Sequence, residues 1–70
     1  MTDNFGKRFG YQSLYHMEWT IRNKKTGEVR RGLLNLVASC TSKEMGVLER
    51  ILEAQGYYED DRWLVHPSKQ

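Results

Sequence analysis

The residues of this 70-residue chain with the means for nucleophilic, acid–base or metal chemistry are one cysteine, Cys40, two histidines, His16 and His66, and the acidic run Glu59-Asp60-Asp61. Zinc takes about four ligands, mostly Cys and His, at short characteristic spacings. The three candidates here stand far apart and no CxxC or HxxxH spacing occurs, so strand histidines and a buried thiol are expected rather than a metal site. A Cys40–His66 nucleophile pair has no Asn or Asp placed to orient the imidazole. A free cysteine commonly packs as a small hydrophobe. The acidic run lacks the Gly and terminal Glu of a calcium loop and reads as a solvated turn. Neither GxxxxGK[ST] nor GxGxxG is present. The expectation is a non-catalytic protein with no metal and no cofactor.

Binding chemistry is better represented. Arg22, Lys24, Lys25, Arg30 and Arg31 fall within ten residues. If they stand at one end of a β-ribbon, they can neutralise phosphates or meet an acidic protein surface. They come without an Asn/Gln array for reading bases, so contact with nucleic acid would be mainly electrostatic. Leu34 and Leu36 are a second clue. In a regular strand they lie on the outer face beside Arg30, and an apolar strip flanked by arginine suits a protein partner. A bulge, or a second copy of the chain in a homodimer, would also cover them. Phe5, Lys7, Arg8 and Phe9 alternate aromatic and basic character around Gly6 and Gly10. They read as a frayed terminus or as an arm that orders on a partner.

The elements that must position these groups follow from periodicity. Residues 11–22 alternate, with Tyr15, Met17, Trp19 and Ile21 on one side, which predicts a half-buried strand. Lys24-Lys25-Thr26-Gly27 predicts a hairpin turn with Gly27 left-handed. Closing the turn on Lys24 and Glu28 sets Arg22 opposite Arg30, Ile21 opposite Arg31 and Trp19 opposite Leu33. The returning strand is less regular. Leu33, Leu36, Val37 and Cys40 also fit a helical stripe, so residues 33–39 admit strand or helix. Thr41-Ser42-Lys43-Glu44 predicts a capping box that starts a helix through Gln55. Met45, Leu48, Ile51 and Leu52 form its apolar stripe, and Gly56 is its C-terminal cap. Residues 62–66 predict a short strand ended by Pro67. The fold class is α+β: a small β-β-α-β unit, an antiparallel sheet with one helix on one face. The organisation is a flexible tail at 1–10, one domain at 11–66 and a short tail at 67–70. The predicted core is Tyr15, Met17, Trp19, Ile21, Leu33, Val37, Met45, Leu48, Ile51, Leu52, Trp63 and Val65. If residues 33–39 are helical, the segment 41–55 becomes the second helix of a helix-turn-helix and 57–65 its wing.

Composition bounds the function. With 39% apolar and 29% charged residues the chain is globular. One cysteine and a polar N-terminus point to a soluble, cytoplasmic protein, and no apolar run approaches a membrane span. The net charge of +2 is unevenly spread. Residues 1–31 hold seven Lys/Arg against three acids, and residues 32–70 hold four against six. A chain this small has little core to spare for a deep cleft. The expectation is a small regulatory protein that binds a larger protein with an acidic surface, such as a component of the transcription or other nucleic-acid machinery, a polymerase among them. A free-standing chain of this kind has the format of a phage- or plasmid-type modulator, by analogy alone. The alternative is direct nucleic-acid binding through the basic hairpin.

Overall fold

The computed structural model describes residues 14–68. The predicted arm at Phe5, Lys7, Arg8 and Phe9 lies outside the described residues. A single 3-10 turn, Leu14–His16, leads into strand β1, Trp19–Asn23. Strand β2, Val29–Gly32, returns antiparallel to it. Helix α1, Leu34–Thr41, and helix α2, Met45–Gln55, follow, and the hairpin of β3, Tyr58–Glu59, and β4, Trp63–Pro67, completes the chain. The four strands form one antiparallel sheet in the order β2-β1-β4-β3. The class is mixed α+β with an antiparallel sheet, as expected. It has two helices where one was predicted, and four strands where three were.

The largest correction lies at residues 33–41. Leu33 is extended (φ −82, ψ 177) and the chain turns from it into α1. Helical spacing therefore wins over strand alternation in this stretch. Low β-branched content left propensity neutral, and burial decided between them: Leu34 and Val37 are fully buried, and Leu36 and Cys40 pack partly against the core. Leu33, predicted in the core, is 49% exposed. The capping box at Thr41 does not form. Thr41 ends α1, its Oγ1 donating to the Val37 carbonyl at 2.8 Å, and Glu44 precedes α2 without a side-chain cap. Gly56 closes α2 as predicted, its N–H donating to the Leu52 carbonyl at 2.7 Å.

The hairpin register differs by one residue from the prediction, and Asn23 is the cause. Its Oδ1 accepts from the N–H groups of Lys25 (2.9 Å) and Thr26 (3.2 Å). That side-chain turn is the local alternative that Asn offers the backbone. Gly27 (φ 82) then donates to the Asn23 carbonyl at 2.7 Å, and the Asn23 N–H donates to the Glu28 carbonyl at 2.8 Å. The pairs are therefore Arg22↔Val29, Ile21↔Arg30, Thr20↔Arg31 and Trp19↔Gly32. The predicted facing of Arg22 and Arg30 is absent, which spares the hairpin a like-charge pair.

The core sits between the sheet and the two helices. Trp19, Ile21 and Val65 supply the sheet side, Leu34, Val37, Leu48 and Leu52 the helix side, and Leu14, Met17 and Tyr58 the rim. The 3-10 turn shifts the early alternation, so Leu14 is buried while Tyr15, predicted in the core, is 39% exposed and donates to Glu49 Oε1 at 2.9 Å. The Trp19 Nε1–H donates to the Leu14 carbonyl at 3.1 Å. Sheet pairing runs to Pro67, opposite Trp19, and the Ser68 N–H donates to the Glu18 carbonyl, so residues 67 and 68 are held against the sheet.

Gly32 is required by close approach. A Cβ there would lie 2.5 Å from Leu36 Cδ2, on the helix that must pack over β2. Gly32→Ala is expected to destabilise the fold by about 1–3 kcal/mol, the usual cost of overpacking. A Cβ at Gly46 meets nothing within 4 Å. Gly46→Ala in α2 is expected to stabilise by roughly 0.5–1 kcal/mol. Urea unfolding of both variants against the parent chain measures the contrast, and equal shifts of the same sign would contradict it.

Candidate partner-binding face

Side chains of directly opposed residues in antiparallel strands share a face. The observed register therefore sorts every strand residue. Both helices cover the face that carries Trp19, Ile21 and Val65. The other face has two rows. Val29, Arg22, Leu64 and Glu59 form one; Arg31, Thr20 and His66 form the other. No described helix packs on it. Val29 is 40% exposed, Arg22 and Arg31 are exposed, and Leu64 and His66 are half-buried. Thr20 is buried between its neighbours, and its Oγ1 shares a 2.8 Å hydrogen bond with Ser68 Oγ.

The five cations of the hairpin do not act as one patch. Lys24 Nζ reaches Glu59 Oε2 at 2.7 Å and the Asp60 carbonyl at 3.0 Å. Arg30 lies on the helix side of the sheet edge, where Glu28 Oε2 accepts from it at 3.1–3.2 Å. Lys25 is exposed in the turn. Among the described residues, no ion pair involves Arg22 or Arg31. Both stand on the open face, one on each strand of the hairpin, diagonal to one another. Exposed ion pairs such as Lys24–Glu59 contribute little to stability, roughly 0–1 kcal/mol. Their effect here is electrostatic: two of the five charges are locally cancelled.

The other predicted contact residues divide. Leu34 is fully buried under the sheet, so it offers no surface. Leu36 is half-buried and, with Ser39 and Cys40, walls a groove of about 250 Å³ whose floor includes Ile21, Arg30 and Trp63. The predicted register, one residue out, puts Val29 on the same face as Ile21 and Trp19, whereas the observed pairing sets it opposite Arg22. Leu33 is in the predicted core. Both are exposed instead, and with Arg31 they form an alternating row along the β2 edge. The signal that could have found them was Asn23, whose side chain lengthens the turn by one residue.

The acidic turn after β3 is a structural device. Asp60 Oδ1 accepts from the N–H groups of Arg62 (2.8 Å) and Trp63 (2.7 Å), and its other oxygen accepts from the Tyr58 hydroxyl. Burial alone would raise the Asp60 carboxyl, but the Tyr58 and backbone hydrogen bonds, with the Lys43 charge, hold it below its ordinary value. The Tyr58 hydroxyl is pushed up to about 12, first by burial and then by its bond to Asp60 and that residue's charge. Lys43 Nζ stands 5.6 Å from the Tyr58 ring centroid. Among the described residues no group of three or more His, Cys, Asp or Glu could hold a metal ion, and no helix is long and apolar enough to cross a membrane. No protein family, curated protein or solved structure matches the chain.

Because the folded state raises the Tyr58 pKa, the stability this proton holds is complete below pH 10 and is lost as pH rises toward 12. The melting temperature should therefore fall across that interval. Tyr58→Phe should remove most of the alkaline step while lowering stability at neutral pH. Thermal unfolding of both chains across the interval tests this, and an undiminished step in the variant would contradict it.

Proposed function

We propose that the chain is a binding module that docks on a larger protein through the open face of its sheet, with Arg22 and Arg31 as charged anchors and Val29, Leu33 and Leu64 as apolar contacts. The carrying observation is that, among the described residues, no helix covers the sheet face on which these two arginines stand, and neither joins the ion pairs that occupy Lys24 and Arg30. Arginine, which is enriched at interaction hot spots, gives bidentate carboxylate recognition, and the exposed aliphatic groups beside it add apolar burial. The partner is a protein with an acidic surface, of the kind found on components of the transcription machinery. The role is regulatory and non-catalytic.

A second reading has one observation in its favour. Helix, three-residue turn, helix and two-stranded hairpin follow in the order of a winged helix-turn-helix. Electrostatics oppose it. The second helix and its approach carry Glu44, Glu49 and Glu53 against Lys43 and Arg50, and the hairpin turn carries Glu59, Asp60 and Asp61 against Arg62. Both elements that would approach phosphates are net negative.

Affinity capture from the native cell, with nuclease added, is expected to retain the partner. Arg22→Glu with Arg31→Glu should reduce capture by roughly tenfold or more. Arg50→Glu, on the far side of the molecule's charge pattern, should leave it unchanged. Capture unaffected by the double reversal would refute the docking face. A gel-shift titration with duplex DNA is expected to give no complex at micromolar protein. A complex whose affinity falls steeply with salt would favour the winged-helix reading instead.

A further inference from the structure

We propose that the β2 edge takes an extended acidic segment of the partner as a fifth, antiparallel strand, one side of which fills the groove between β2 and α1. The proposal rests on the docking-face reading above and specifies its mode. The Asn23 N–H to Glu28 carbonyl bond makes that pair a hydrogen-bonded one. Such pairs alternate along an antiparallel ladder. Ile21↔Arg30 and Trp19↔Gly32 are then hydrogen-bonded, while Arg22↔Val29 and Thr20↔Arg31 are not. The N–H and C=O groups of Val29 and Arg31 therefore point away from β1, and β2 is the terminal strand of the sheet with no described strand beyond it. An open ladder of this kind is a template for strand addition, with main-chain bonds giving affinity and side-chain pockets giving specificity.

Both faces of the edge are equipped. On the open face, Val29, Arg31 and Leu33 alternate with 40% and 49% exposure at the two apolar positions. A residue added opposite Arg31 shares its face, so a carboxylate there meets the Arg31 guanidinium, with the charge of Arg22 on the next strand adding to the local field. A residue added opposite Arg30 points to the other side. There the groove of about 250 Å³ has apolar walls at Ile21, Leu36, Cys40 and Trp63 beside the polar Glu28 and Arg30, and is large enough for an aliphatic side chain. The ligand chemistry follows: acidic and aliphatic residues in strict alternation, four to six residues long to match the four residues of β2 and extended Leu33. A nucleic-acid-like polyanion has no alternating apolar side and does not use the groove.

Panning a random displayed peptide library against the full chain tests this. Enriched peptides are expected to alternate Asp or Glu with Leu, Ile or Val. On binding, exchange of the Val29 and Arg31 backbone amides should slow by roughly tenfold or more, with no comparable change at Arg30, whose amide is already bonded to β1. Arg31→Pro, which deletes one outward N–H on an edge strand where proline is tolerated, should abolish binding, while Arg31→Lys should retain part of it. Enriched peptides without acidic alternation, or ones that leave the Val29 and Arg31 amides exchanging as in the free chain, would overturn strand addition. If no peptide is enriched while cellular capture still fails on the double reversal of Arg22 and Arg31, strand addition is wrong and the docking face stands. If capture survives that reversal, the docking face itself is wrong.

Discussion

Burial of the Trp19 indole is the constraint on which the other features depend. An indole removes about 150–250 Å² from water, a large share of what so small a chain can bury. Trp19 is fully buried on a central strand, and its one polar atom is satisfied by the Leu14 carbonyl. Its two cross-strand neighbours are Gly32 and Pro67, both compact, so the ring has room on its own level of the sheet. The absence of a side chain at Gly32 lets Leu36 approach β2, which seats α1 over the ring. The early 3-10 turn, the end of β2 and the position of α1 are thus set by one side chain.

Packing both helices on the Trp19 side leaves the opposite face of the sheet to carry whatever surface chemistry the strands encode. Antiparallel sheets tolerate this asymmetry, since one face can meet solvent. What the strands encode there is arginine beside aliphatic residues, with Thr20 and Ser68 holding the centre by a hydrogen bond. Core packing and exposed surface chemistry are in this way assigned to opposite sides of the same four strands, and alternate residues of β1 serve one or the other.

Charge is organised by pairing more than by amount. The hairpin looks strongly basic along the chain, yet its turn lies against the acidic turn after β3, where Lys24 meets Glu59 and the Lys24 N–H donates to the Arg62 carbonyl at 2.7 Å. The two turns lock together at one end of the sheet, and their charges largely cancel. Of the three hairpin cations outside those ion pairs, Lys25 stays in the turn, and Arg22 and Arg31 lie on the open face beside apolar side chains.

Residue pattern alone was enough for the α+β class, the antiparallel hairpin, the helix ending at Gly56, the strand containing Trp63 and Val65, and the buried set of Met17, Trp19, Ile21, Val37, Leu48, Leu52 and Val65. These rest on local periodicity and on glycine conformations that few other residues adopt. Tertiary structure alone decided the rest. Residues 33–39 satisfied helix and strand patterns equally, and only the fit of Leu34, Leu36 and Val37 over Trp19 chose the helix. The register depended on a side-chain turn at Asn23 that shifts the pairing by one residue, and with period 2 a one-residue shift exchanges the faces. That exchange placed Val29 outside and parted Arg30 from Arg22. The identity of the exposed surface was therefore settled by long-range packing and one Asn side chain, neither of which periodicity records.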